Sequence, residues 1–282
     1  MTAIAIWFNN ENPKNPSLWV ASDSRVSKPV PENQYSTLID DAAKVFTLPV
    51  VCSFPGKEGF FSQVGYYHTY GYCFAGNTLL GQNTFLALMP LLSNLAATQL
   101  YVPEMTYVAD FILRYLGRAF DDYKAIATEG SLVEVALFGW CRATQKQHVF
   151  HYYPDKDEDG YLVIKCMDYT YPNEENFVYL GAHSKDIKQK IKEAFDRESE
   201  PGKPISRSPR YIIEECIQNS EYTTIGGNLQ LGIADQLGFR PLSICKPRVP
   251  GKPEAYLSYL GYELHQDIRN VGHAFVNLPG MV

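Results

Sequence analysis

Cys73-Phe74-Ala75-Gly76-Asn77 marks the point at which the sequence changes texture. Before it, Tyr72 to Ala75 is a short apolar run suited to a buried strand. After it, Asn77 is a good helix cap, and Leu80, Phe85, Leu88, Leu91, Leu92 and Leu95 recur at helical spacing up to Gln99. The glycine therefore stands at a helix start, where unpaired backbone N–H groups can face an anion or an oxyanion. It also fits an ordinary turn.

Outward from this junction the elements come in groups. Upstream lie strand-like runs at Ala3 to Phe8, Leu18 to Ala21 and Lys44 to Cys52, the first two joined by a turn-forming cluster from Asn9 to Pro16. Ser53 to Gly71 is richer in glycine, aromatic and polar residues and reads as a long surface loop or an inserted hairpin. Downstream, a second helix is expected from Pro103 to Ala127, with Tyr107, Phe111, Ile112, Tyr115, Leu116 and Phe120 as its buried stripe. Strands return at Val133 to Trp140, His148 to Tyr152, Tyr161 to Met167 and Asn176 to Leu180. Helices follow at Ser184 to Arg197 and Pro209 to Gln218, then strands at Leu229 to Ala234 and Leu242 to Cys245, a Pro-rich stretch and a tail. Grouped strands and grouped helices argue against a Rossmann-type sheet and for an α+β chain whose sheets pack face to face with helices outside.

The 282 residues are 45% hydrophobic and 20% charged, which excludes generic disorder and permits a large core. Twenty-five basic against 31 acidic residues give a net charge of −6, so no overall basic field holds nucleic acid by its phosphates. The longest apolar candidate, Phe85 to Ala97, is broken by Pro90, Ser93 and Asn94 and falls short of a membrane span. The first residues lack the basic region of a signal peptide and read as a strand. Cys52, Cys73, Cys141, Cys166, Cys216 and Cys245 show no ligand-like spacing and read as buried thiols of a reducing cytoplasm. His148 and His151 are three apart in a strand, on opposite faces, so a metal pair is not expected. The charged Asp155-to-Gly160 segment reads as a solvated turn rather than a calcium loop.

Three further pieces bear on chemistry. Thr2 follows the initiator Met, and a small second residue permits Met removal and a free α-amine. Ala21-Ser22-Asp23-Ser24-Arg25 ends a strand, and Asp41-Ala42-Ala43-Lys44-Val45-Phe46 enters another. Each alone is an ordinary feature of a folded chain.

Together, and in this order with Phe74-Ala75-Gly76, they resemble the proteasome β-subunit and its bacterial homologues, the threonine branch of the N-terminal nucleophile hydrolases. Ser22 before Asp23 looks more like the ancestral bacterial homologues than the eukaryotic subunits. The resemblance is clearest over Thr2 to Gln99 and holds in element order to about Gly227. It implies a four-layer αββα sandwich: a single domain, 1–282, with an extended loop at 53–71 and a C-terminal extension after about 228. By the same resemblance Thr2 aligns with the nucleophile, Asp23 with the aspartate, Lys44 with the lysine and Gly76 with the oxyanion glycine.

The implied chemistry is hydrolysis of an amide bond. The threonine α-amine, with a reference pKa of about 7.7–8.0, can take the hydroxyl proton, so one residue supplies nucleophile and base. An ammonium at Lys44, held by Asp23, would favour negative charge on the Thr2 oxygen, and the Gly76 N–H would stabilise the oxyanion.

The second half departs from the family. Gly181-Ala182-His183-Ser184 stands where active subunits carry a glycine–serine run, so the auxiliary serine position holds Ala182. Glu221 and Thr224, before Gly226-Gly227, only loosely mirror the usual Asp…Ser pair, and Ser184 is a further auxiliary candidate. His183 reads as a helix-start residue. Phe60, Phe61, Tyr66, Tyr67, Tyr70 and Tyr72 fit either a substrate surface or loop packing.

The resemblance further implies a peptide or protein substrate, a homo-oligomeric ring or spiral and no cofactor. Since no phosphate-binding loop motif occurs, any ATP-dependent unfoldase is a separate partner. The alternatives are a non-catalytic scaffold or binding subunit that keeps Met1, whose acylated nitrogen could not act as base, and a small-molecule amidase on the same fold.

Overall fold

The computed structural model describes residues 2–31, 34–127, 132–172, 176–198, 207–219, 222–249, 252, 254–268 and 270–281. In chain order it contains β1 (Ala3–Asn9), β2 (Ser17–Ser22), β3 (Val26–Val30), β4 (Gln34–Ile39), β5 (Val45–Phe54), β6 (Gln63–Gly76), α1 (Thr78–Leu92), β7 (Leu95–Ala96) and α2 (Met105–Ala127). There follow β8 (Val133–Cys141), β9 (Lys146–Lys156), β10 (Leu162–Tyr171), β11 (Phe177–Gly181), α3 (Ser184–Glu198), α4 (Ser208–Gln218), β12 (Gln230–Asp235), β13 (Gly238–Pro247) and β14 (Ala255–Tyr259). The remaining short strands are β15 (Tyr262–Glu263), β16 (Asn270–Val271), β17 (Ala274–Phe275) and β18 (Gly280–Met281). The fold is mixed α+β.

Two sheets dominate. One runs β11-β1-β2-β12-β13-β14-β15 with β18 beside β13, and the other runs β10-β9-β8-β6-β5-β7. Strand β1 shows why its sequence is apolar without a break. Ala3, Ala5 and Trp7 pack with Ile187 and Ile191 of α3 and Ile213 and Cys216 of α4. The alternate residues Ile4, Ile6 and Phe8 pack with Cys73, Ala136, Phe138 and Val149 of the other sheet. The far face of the six-stranded sheet, through Leu48, Tyr72, Leu137 and Tyr152, meets α1 and α2 at Leu88, Ile112, Leu116 and Phe120.

The helices fall close to where apolar spacing placed them, except that α1 ends at Leu92 instead of running to Gln99, with Leu95 in β7, and the stripes are rotated. In α2 the buried face is Met105, Val108, Ala109, Ile112, Leu116 and Phe120, whereas Tyr107 is 62% exposed. In α1, Leu91 is 47% exposed and Thr84 is buried in its place. Aromatic and leucine content alone does not fix the angular position of a stripe.

Ser53 to Gly71 forms the end of β5 and most of β6, an antiparallel pair running from Val45↔Cys73 to Phe54↔Gln63 with a register shift between Cys52 and Ser53, so the chain adds strand length there. The residues after about 228 supply β12 and β13 inside the eight-stranded sheet, with β12 paired directly to β2. They are part of the sheet that carries the site. The β3–β4 ribbon has a largely exposed β4 and lacks the apolar alternation that would announce it. No helix is long and apolar enough to cross a membrane, among the described residues.

Candidate active site

The residues at the ends of β1, β2 and β5 converge. Thr2 precedes β1, Asp23 follows β2 and Lys44 precedes β5. Their exposures are 4%, 0% and 1%. Lys44 Nζ donates to Thr2 Oγ1 at 2.9 Å and to Asp23 Oδ1 at 2.8 Å. The Asp23 carboxylate also accepts the backbone N–H of Ala3 at 3.0 Å, of Arg25 at 3.2 Å and of Gly226 at 3.1 Å. These four donors satisfy an anion removed from water, without which its burial would be costly. Burial lowers the Lys44 ammonium below its usual 10.5, and the Asp23 carboxylate opposes that shift by charge and hydrogen bond.

A second layer fixes the lysine. Gln230, at the start of β12 and 3% exposed, accepts the Lys44 N–H through Oε1 at 3.0 Å. Its amide nitrogen donates to Asp23 O at 2.9 Å and Ala42 O at 3.1 Å. One glutamine thus ties together the strand ends that carry Asp23 and Lys44. Behind it Arg25 pairs with Asp40 at 2.6 Å, closing the base of the β3–β4 ribbon.

The backbone of Thr2 is held from the other side. Ala182 N donates to Thr2 O at 2.8 Å, and Gly181, with φ of 108°, pairs with Ala3 at the end of β11. Gly76 ends β6 with φ of 90°, and a side chain there would strike the Leu132 carbonyl oxygen at 2.4 Å. The next residue, Asn77, caps α1 by accepting the Leu80 N–H at 2.8 Å. Glycine at 76 thus has a steric requirement and stands at the helix start as its sequence context indicates.

A cavity of about 970 Å³ opens here, its wall including Ser27, Gly76, Glu134, His151, Gly181 and Ala182. Thr2, Lys44 and Asp23 are not in its lining, and Thr2 lies directly behind Gly181 and Ala182, which touch its carbonyl. Glu134, missed in the sequence, and His151, read there only as a rejected metal partner of His148, form a pair in this wall. Glu134 Oε2 lies 2.9 Å from His151 Nε2, and Oε1 accepts the Gly181 N–H at 3.2 Å.

The auxiliary candidates are less central. Glu221 lies outside the described residues. Thr224 is 1% exposed and its Oγ1 has no hydrogen-bond partner among the described residues. Ser184 begins α3, and His183 is exposed, with φ of 51° and its ring edge-on to Tyr222 at 4.9 Å. Of the ring-bearing residues, Tyr66, Tyr70 and Tyr72 are buried in the helix-facing core, while Phe60, Phe61 and Tyr67 are exposed. His148 faces Asp168 at 3.2 Å and His151 faces Glu134, on opposite sides of β9. All six cysteines are free.

The convergence of three strand ends on one lysine is set by topology, and topology can be compared. The structure of the helical assembly of the Anbu complex from Pseudomonas aeruginosa aligns with 92% of this chain and 87% of its own, at 14% identity and a TM-score of 0.54. Anbu (ancestral beta-subunit) from Yersinia bercovieri aligns over 83% of this chain and 81% of its own, at 15% identity and a TM-score of 0.51. The chain shares the ancestral β-subunit fold. No family model and no curated protein sequence matches it. The ancestral β-subunit fold is thus carried here on a largely different sequence, and the chemistry has to be argued from the residues at its strand ends.

Proposed function

We propose that the chain is a threonine-type amide hydrolase, acting on peptides through Thr2 once Met1 has been removed. The observation that carries this reading is the buried series Thr2 Oγ1, Lys44 Nζ and Asp23 Oδ1, with successive separations of 2.9 and 2.8 Å. A buried lysine–aspartate pair is a costly way to stabilise a fold, and here its free hydrogen-bonding capacity is spent on one hydroxyl.

In the first step Thr2 Oγ attacks the carbonyl carbon of the scissile amide, and its proton passes to the neutral Thr2 α-amine. The carbonyl π electrons move to oxygen, where the Gly76 N–H supplies the oxyanion donor that the resemblance assigns to it. Lys44 donates to Oγ and favours negative charge there, with Asp23 fixing the direction of its ammonium. The C–N bond then breaks as the α-amine returns its proton to the leaving nitrogen, leaving an ester on Thr2. Water attacks that ester, its proton goes to the same amine, and the acid product departs with the hydroxyl restored.

In this reading the two sheets and their helices form a four-layer αββα sandwich, in one domain. The working form is a homo-oligomeric ring or spiral in the cytoplasm, with any ATP-driven unfoldase a separate chain. The Pseudomonas relative is itself a helical assembly. Leu79, Leu86 and Leu91 leave apolar surface on α1, exposed by 64%, 60% and 47%, in keeping with a subunit that meets copies of itself.

A panel of fluorogenic peptides, with Thr2→Ala as control, tests the reading. Turnover lost in Thr2→Ala supports it, and turnover that survives in Thr2→Ala contradicts it. Uniform inactivity of the wild type toward peptides, with hydrolysis of small amides, would make the chain an amidase on the same fold.

A further inference from the structure

Glu134 is a carboxylate where the two sheets meet, a region otherwise filled by Ile4, Leu180, Ala75, Ala136 and Phe138. It stands on β8 opposite Ala75 of β6, one register position from Gly76. Its two oxygens reach different elements: Oε2 meets His151 Nε2 of β9 at 2.9 Å, and Oε1 accepts the Gly181 N–H of β11 at 3.2 Å. One side chain thus links the six-stranded sheet to the strand end of the eight-stranded sheet. The side chain keeps 31% exposure at the cavity wall, with the Gly181 N–H on one oxygen and the His151 ring on the other.

The next peptide group reaches the candidate nucleophile, because Ala182 N donates to Thr2 O at 2.8 Å. A Cβ on Gly181 would stand 1.9 Å from that same Thr2 oxygen and 3.5 Å from the Ala75 Cβ, so Gly181 is packed tightly against the Thr2 carbonyl with Ala75 on its other flank. Shifting the Gly181–Ala182 turn would therefore move Thr2. The auxiliary serine implied for this wall is absent, since position 182 is alanine.

We propose that Glu134, oriented by His151, is the positioning residue for Thr2: its carboxylate fixes the Gly181–Ala182 turn, and that turn holds the backbone of the nucleophile at the Lys44 ammonium. The inference rests on Thr2 acting as proposed above, but its mechanical half is measurable without turnover. Glu134 does not touch the reacting atoms in this account. It sets where they are.

The test compares wild type, Glu134→Ala, Glu134→Gln and His151→Phe by hydrogen–deuterium exchange over residues 178–184, with peptide hydrolysis on the same preparations. Glu134→Ala is expected to speed exchange at Gly181 and Ala182 by about tenfold or more, as local opening becomes easier. It should lower kcat by about tenfold or more with KM nearly unchanged, since a small displacement of a nucleophile acts on the chemical step. Glu134→Gln keeps an oxygen acceptor and is expected to restore both readings most of the way. Exchange unchanged in Glu134→Ala, or Glu134→Gln as damaging as Glu134→Ala, would overturn the proposal. Should Glu134→Ala fail to fold, His151→Phe decides: faster exchange in the same peptide supports the linkage, and unchanged exchange contradicts it. If the wild type hydrolyses nothing while Glu134→Ala still loosens the turn and Glu134→Gln does not, the Thr2 reading fails and the positioning of residue 2 by Glu134 stands.

Discussion

Gly181 and Thr2 leave no space for a side chain between them: a Cβ at position 181 would stand 1.9 Å from the Thr2 carbonyl oxygen. The φ of 108° at Gly181 adds a backbone conformation that L-residues rarely adopt. Gly181→Ala should therefore displace the start of β1. The expected effect is a loss of about 1–3 kcal/mol in denaturant stability, with turnover reduced far more than binding. Urea melts and steady-state kinetics on one preparation check both.

The Lys44–Asp23 pair predicts a non-additive result. Lys44→Met leaves a fully buried carboxylate without its cation and should cost about 3–5 kcal/mol. Asp23→Asn combined with Lys44→Met removes both charges, so the double variant should be more stable than Lys44→Met alone. Neither should turn over substrate. Denaturation midpoints of Lys44→Met, Asp23→Asn and the double variant measure the coupling, and strictly additive losses would contradict the buried pair.

Gln230 gives a prediction for a residue that touches no reacting atom. Gln230→Leu is close in size but strands the Lys44 N–H and the Ala42 carbonyl, while Asp23 O keeps only the Ser22 hydroxyl. A loss of about 1–3 kcal/mol follows from the unpaired backbone groups, and the Lys44 position should loosen with it. Chemical denaturation together with kcat reports on the two consequences.

How much of this was legible in the sequence depends on the range over which each signal acts. Helix α3 was readable at Ser184 to Arg197 and is observed at Ser184–Glu198, because its apolar spacing is local. Thr2, Asp23 and Lys44 were readable through a familiar order of short motifs, each at a strand end. Gln230 and Glu134 were not. Each is a single polar residue at or in an apolar strand, and their partners lie 186 residues away at Lys44 and 47 away at Gly181. Such residues acquire meaning only when the sheets close. The β3–β4 ribbon was silent for the opposite reason: with little buried face, nothing in its sequence needed to alternate.

His68 predicts the acid limb of stability. It is 1% exposed, and burial, assisted by the Arg142 guanidinium, lowers its imidazole from 6.5 to about 4. Between those values the unfolded chain binds the proton and the folded chain does not, so stability falls as pH drops from 6.5 toward 4. The contribution reaches up to about 3 kcal/mol for one such group. His68→Phe should flatten that part of the profile. Denaturation midpoints at neutral pH and near pH 4.5 would show it, and an unchanged slope in the variant would assign the acid sensitivity elsewhere.

The central claim is that residue 2 works with its own uncapped nitrogen. Intact-mass spectrometry with N-terminal sequencing of the purified active chain tests it most directly. The account predicts an active population that begins Thr2-Ala3-Ile4. An active population in which every chain keeps Met1 would contradict it.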